Sequence, residues 1–124
     1  MNYLDPDMSD AWDRVMEAGY ITVDMNVPIS VVVDFIRLDE RHYNRVEEEL
    51  QIEAVKAWPG CLEYMGRPSK AVVDAAIKHT PANIGRIKKP TKEAQLMAVQ
   101  LQPNVIELIM KPCAEASSLA TLLA

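Results

Sequence analysis

The sequence predicts an all-α protein, a short α-solenoid of stacked two-helix repeats. Three observations carry this. First, EEELQIEAVKAWPGCLEYMGRP (47–68), SKAVVDAAIKHTPANIGRIKKP (69–90) and TKEAQLMAVQLQPNVIELIMKP (91–112) align as 22-residue units without a gap, and CAEASSLATLLA (113–124) stops halfway through a fourth. Second, equivalent positions hold Ala54, Ala76, Ala98 and Ala120, followed by Val55, Ile77 and Val99. Third, Pro59, Pro81 and Pro103 divide the units internally, while Pro68, Pro90 and Pro112 close them.

Within a unit the first ten or eleven residues are good helix formers with apolar side chains at helical spacing, as in Leu50, Ala54 and Val55 or Ala94, Ala98 and Val99. This is helix A. The internal proline cannot continue it, but suits the first position of a second helix, where its missing N–H is no loss. Helix B then buries residues three apart: Leu62 with Met65, Ile84 with Ile87, Ile106 with Ile109. Thr80 is expected to cap one B helix, and Ser69 and Thr91 to cap the A helices that follow. The small Ala column lets neighbouring A helices approach closely, and Ala is also the best helix former. A short helical hairpin cannot bury its own apolar stripe, so the units must stack.

The N-terminal third fits this plan less closely. The chain reads as one helical-repeat domain over residues 1–124, with degenerate units at 7–28 and 29–46, the latter 18 residues long and lacking the closing turn. Ser9 is the expected cap of the first helix and Gly19 its stop. Ile21, Val23, Met25 and Val27 alternate with polar residues as a strand would. With no second strand visible to pair with them, helix or irregular turn is the preferred reading over 20–28.

Charge is divided unevenly. Residues 1–66 carry 5 Lys/Arg against 14 Asp/Glu, a net of −9, and residues 67–124 carry 8 against 4, a net of +4. The acidic half argues against nucleic-acid binding along the whole length and favours a protein partner with a basic surface, or two copies meeting through opposite charges. Asp5, Asp7, Asp10, Asp13, Glu17 and Asp24 make up the candidate acidic surface, with Trp12 and Tyr20 as candidate anchors. Trp12 also suits a core position. Cys61 and Cys113 form no CxxC pair and read as reduced, mostly buried thiols. The N-terminus has no basic stretch leading into an apolar run, and no apolar segment approaches the length needed to span a bilayer. An intracellular protein with no membrane contact is expected.

The phrase KKPTKEAQLMAVQLQPNVIELIMKP is similar to tandem motifs of uncharacterised phage and bacterial proteins, with Pro90, Thr91, Glu93, Gln95, Leu96, Ala98, Val99, Pro103, Ile106 and Ile109 matching and Lys92 standing where an acid is usual. More distantly it resembles the leucine-rich-variant and HEAT classes of helical repeat. The resemblance covers residues 47–124. It implies an α-solenoid with a binding role, such as a phage factor acting on a host protein in the host cytoplasm, and no catalytic residue.

The residues themselves offer little chemistry. His42 and His79 lie in different units with no partner ligand at metal-binding spacing, and each reads as an ordinary helix residue. No phosphate-cradling glycine pattern occurs. Glu47, Glu48, Glu49 and Glu53 read as a helix start, where negative charge is favoured by the helix dipole. No enzyme, cofactor or metal is expected. Arg67, Lys70, Lys88, Lys89, Lys92 and Lys111 all fall at joints between units, forming a basic ridge that either tracks phosphates or satisfies helix ends and solubilises turns. No aromatic residues are interleaved for base stacking, so nucleic acid is the second choice of partner. The other departure from the repeat is apolar. Position by position, Asp74 becomes Leu96, His79 becomes Leu101, Arg86 becomes Leu108 and Lys88 becomes Met110, and the last half unit adds Leu119, Leu122 and Leu123. Either the last helix folds back over this excess or a second chain covers it, and a homodimer is one expected outcome.

Overall fold

The computed structural model describes the backbone from residue 6 and side chains from residue 10, to residue 124. The fold is all-α, with consecutive helices packed on one another within each compact unit, and among the described residues the only strand-like pairing is a single parallel bridge. The α-helices are α1 (Pro6–Ala18), α2 (Ile29–Leu38), α3 (Glu48–Ala57), α4 (Lys70–His79), α5 (Lys92–Leu101) and α6 (Ala114–Leu123). Two compact units emerge, 1–65 and 66–124.

In the three full repeats helix A is the expected α-helix, and helix B is a 3₁₀ helix: Pro59–Tyr64, Pro81–Arg86 and Pro103–Leu108. The spacing of three that pairs Leu62 with Met65 and Ile84 with Ile87 is the 3₁₀ period, at which side chains eclipse one another. Leu62, Met65, Ile84, Ile87 and Ile109 are buried, while Ile106 is half-buried. Backbone angles repeat closely between units. The residue before each internal proline is extended (Trp58 φ −146°, Thr80 φ −154°, Gln102 φ −153°), as a following proline demands. Its N–H still reaches back to close helix A on the carbonyl of Ala54, Ala76 or Ala98, at 2.8, 3.0 and 2.9 Å.

Ser69 and Thr91 cap α4 and α5 as expected, their hydroxyls accepting from the Val72 and Ala94 N–H groups. Two expected caps are corrected. Thr80 occupies the position before its 3₁₀ helix, but its hydroxyl contacts His79 Nδ1 at 3.3 Å and makes no cap. Ser9 lies inside α1, which begins at Pro6, because proline is itself a favoured first residue.

In the first unit α2 packs on α1, on α3 and on the 3₁₀ helix 59–64, burying Val31, Val32, Phe35 and Ile36. Gly19 stops α1 in the left-handed region at φ +79°, donating to the Val15 carbonyl. Residues 20–28 are mostly irregular, with a 3₁₀ turn at Val23–Met25, yet Ile21 does pair as a strand residue would. Its partner is Val46: Ile21 N–H donates to the Arg45 carbonyl and Glu47 N–H to the Ile21 carbonyl, both at 2.9 Å. The 29–46 unit keeps the ten-residue A helix and a 3₁₀ turn, His42–Arg45, and passes directly from Val46 to the first residues of α3.

In the second unit α4, α5 and α6 pack side by side in order, and the 3₁₀ helices 81–86 and 103–108 pack on each other behind them. Because each A helix of this unit is followed by an equivalent joint, α4, α5 and α6 run in the same direction. Ala76 and Ala98 are fully buried in this stack and Ala120 nearly so. Gly85 marks a second close approach, since a Cβ there would lie 3.1 Å from the Cβ of Leu108.

Packing can be separated from helix propensity at the alanine column. Ala98→Leu keeps a good helix former and overfills a buried site, so urea unfolding should show a loss of about 1–3 kcal/mol. The exposed Gln100→Leu should stay within about 0.5 kcal/mol of the parent.

Candidate functional site

The third repeat and the half repeat after it carry a cluster of exposed apolar side chains. Leu101, Leu108 and Met110 are 55, 49 and 97% exposed, as are Leu122 and Leu123 at 80 and 46%. Their counterparts in the preceding repeat, His79, Arg86 and Lys88, are also exposed, so apolar side chains have replaced polar ones at positions that remain in water. Fully burying such a side chain is worth about 1.5–3 kcal/mol, of which these residues gain only part within the chain. Leu96 and Leu119 differ in exposure: both are half-buried in the helix stack.

The exposed residues do not form one face. Leu101 closes α5 and Leu123, one repeat later, closes α6, so the two sit on adjacent parallel helix ends with Leu122 beside them. A shallow groove of about 550 Å³, lined by Pro103, Ile106, Ala120 and Ala124 among others, opens at this same end. Leu108 closes the 3₁₀ helix 103–108, a run of six residues and about 12 Å, and Met110 lies two residues past it. The apolar excess therefore divides into a rim at the A-helix ends and a pair at the joints.

The joints also hold the basic residues, and the structure balances part of their charge. Lys70 pairs with Asp74 at 2.7 Å, and Lys92 crosses from α5 to Glu115 of α6 at 2.5 Å. These contacts raise the pKa of both lysines and lower that of Glu115. Arg67, Lys70 and Lys89 line a groove of about 590 Å³ that also contains Asp74 and Glu93, over a floor that includes Val73, Ile87 and Ala94. Lys88 and Lys111 are exposed. The ridge is thus a line of mixed charge with an apolar furrow.

Of the acidic surface, Asp10, Asp13, Glu17 and Asp24 are exposed. Asp5 and the side chain of Asp7 lie outside the described residues. Asp10 pairs with Arg14 at 3.4 Å, and Arg14 also donates to the Met25 carbonyl. Asp24 accepts from the Thr22 hydroxyl. Tyr20 is half exposed, whereas Trp12 is only partly accessible. Glu47, Glu48 and Glu49 occupy the start of α3, and Glu47 accepts from the Val23 N–H.

Several features escape pattern reading. Gln51, Asn83 and Gln95 are buried polar residues that satisfy backbone groups. Gln51 donates to the Tyr43 and Val46 carbonyls, Asn83 to the Ala76 carbonyl, and Gln95 to the Pro90 carbonyl while accepting from the Cys113 N–H. Gln51 and Gln95 are repeat equivalents, and their donation to the carbonyl five residues back is the same bond. In the first unit the Arg37 guanidinium lies 4.8 Å from the Trp58 ring centroid, and that ring covers Gly60, where a Cβ would fall 2.5 Å from Trp58 Cζ2. The run Trp-Pro-Gly at 58–60 is the one sequence signal of this arrangement.

His42 belongs to the first compact unit and His79 to the second. His42 stacks on Phe35 with ring centroids 4.1 Å apart, and its Nδ1 lies 2.7 Å from the Phe35 carbonyl, which requires the proton on Nδ1. His79 is exposed at the end of α4. Among the described residues no group of three His, Cys, Asp or Glu converges in a way that holds a metal ion, and no helix is long and apolar enough to cross a membrane. The chain matches no protein-family model, no curated protein and no solved structure.

The two thiols differ in environment. Cys61 is fully buried and its pKa is pushed up to about 11 by loss of solvation, whereas Cys113 is half-buried at the position preceding α6. Thiolate is the reactive form, so a disulfide reagent at neutral pH should label Cys113 alone in the folded protein and both residues in denaturant. Mass spectrometry of the labelled peptides distinguishes the two.

Proposed function

We propose that the protein is a non-enzymatic interaction module that acts by binding another protein chain, and that the rim formed by Leu101, Leu122 and Leu123 is a contact surface. The observation that carries this reading is the exposure of leucine at two equivalent helix ends, Leu101 and Leu123, where the preceding repeat has the polar His79. Rows of exposed large apolar residues mark surfaces covered by a partner. The groove at the same end has room to receive side chains from that partner.

A second copy of the chain is the nearest partner, since a two-fold axis sets the same apolar patch of two copies against each other. The acidic exposed residues Asp10, Asp13, Glu17 and Asp24 offer a further surface to a basic target. The likeness of the repeat to motifs of uncharacterised phage and bacterial proteins supports a more specific form of the reading, a phage inhibitor that occupies a host protein in the host cytoplasm. Ion pairing of Lys70 and Lys92 with acids leaves the ridge less suited to phosphates than an unbalanced row of cations.

Sedimentation equilibrium across the micromolar range tests the rim. The parent chain should show a reversible dimer, and Leu101→Glu with Leu123→Glu should be monomeric with unchanged helical circular dichroism. A parent chain that is monomeric throughout, or a variant that dimerises as well as the parent, would overturn the assignment of this rim to self-association.

A further inference from the structure

The joint between α5 and α6 contains a bond pattern that the joint between α4 and α5 lacks. At the first, the Gln95 carboxamide bridges two backbone groups, donating to the Pro90 carbonyl at 3.1 Å and accepting from the Cys113 N–H at 2.8 Å. One repeat earlier the equivalent groups are the Pro68 carbonyl and the Thr91 N–H, and the residue equivalent to Gln95 is Val73, which can make neither bond. Backbone angles at Thr91 and Cys113 agree within a few degrees (φ −72° and −70°, ψ 163° and 158°), so the Thr91 N–H is presented as the Cys113 N–H is. The groove of about 590 Å³ opens at this joint, and Pro68, Val73 and Thr91 all line it.

We propose that this groove receives the carboxamide of a glutamine side chain from a peptide segment of a protein partner, the amide donating to the Pro68 carbonyl and accepting from the Thr91 N–H. The occupant's chemistry is stated by the chain's own solution at the next joint, where a glutamine amide makes both bonds. A carboxamide carries a donor and an acceptor on two separate atoms, whereas a hydroxyl holds both on one oxygen, a carboxylate only accepts and an ammonium group only donates. The volume is that of a ligand site, with an apolar floor beneath charged walls. Its walls carry Arg67, Lys70 and Lys89 against Asp74 and Glu93, within a half of the chain whose net charge is +4, so acidic residues flanking the glutamine are favoured. The inference rests on the reading of the protein as an interaction module, but uses a surface separate from the Leu101–Leu123 rim.

The test is a ¹H–¹⁵N titration with a Glu-Gln-Glu tripeptide blocked as acetyl and N-methylamide, against the Glu-Met-Glu counterpart of similar length. The Thr91 amide resonance should shift saturably with the glutamine peptide, and the methionine peptide should bind about tenfold more weakly, having lost two hydrogen bonds. Val73→Gln supplies the amide from within: the Thr91 resonance should shift in the free protein and peptide binding should be lost. Val73→Leu fills the groove without an amide, so binding should be lost with the Thr91 resonance unmoved in the free protein. Equal affinity for the two peptides, no saturable shift at Thr91, or undiminished binding by Val73→Gln would overturn the proposal. The same titration in the Leu101→Glu, Leu123→Glu background separates this outcome from failure of the dimer rim.

Discussion

Every full repeat depends on the limit that an internal proline places on its A helix. Proline forces the preceding residue into an extended conformation, and Trp58, Thr80 and Gln102 accordingly end their helices at ten residues. The N–H of that same residue bonds to the carbonyl of the column alanine, so the residue that allows close packing also receives the helix-closing bond. Its carbonyl then accepts from Cys61, Asn83 or Val105 to start the 3₁₀ helix. One constraint thus sets helix length, the turn, and the placement of the buried apolar pairs that follow.

With the frame set by so few positions, the remaining ones are open to variation, and the repeats differ where the frame is indifferent. The position equivalent to Asn83 is Cys61 in one repeat and Val105 in another, all three buried beside the same turn. The position equivalent to Gln95 is Gln51 or Val73, and where valine stands a groove lies at the joint. The helix-end position passes from His79 to Leu101 to Leu123 with no change in exposure class. Variation of this kind alters surfaces without altering the scaffold, a general advantage of repeat architecture.

Much of the scaffold was legible because period, proline and small-residue columns are local signals. The capping roles of Ser69 and Thr91 followed from residue type and position, and both hydroxyls accept the expected bonds. Thr80 failed as a cap because its hydroxyl is engaged by the neighbouring His79. The 3₁₀ character of helix B was present in the three-residue spacing, which an α-helix shares and so does not decide. The pairing of Ile21 with Val46 was invisible because its partner is a single residue 25 positions away rather than a strand. At the candidate sites, the polar-to-apolar changes pointed to Leu101, Leu108, Met110, Leu122 and Leu123, but sequence could not show that the 3₁₀ return separates them into two places. Nor could it show that Lys92 reaches Glu115 one repeat on, or that Gln95 bridges two backbone groups.

The central functional claim is that the A-helix ends of the last layers meet a second copy of the chain. Hydrogen exchange measured on the parent protein at low and high protomer concentration tests it most directly, because burial at an interface slows exchange locally. Protection should rise with concentration in peptides covering 98–103 and 118–124 and stay constant over 29–46. Exchange that is independent of concentration at both helix ends, or that slows uniformly along the chain, would contradict the account.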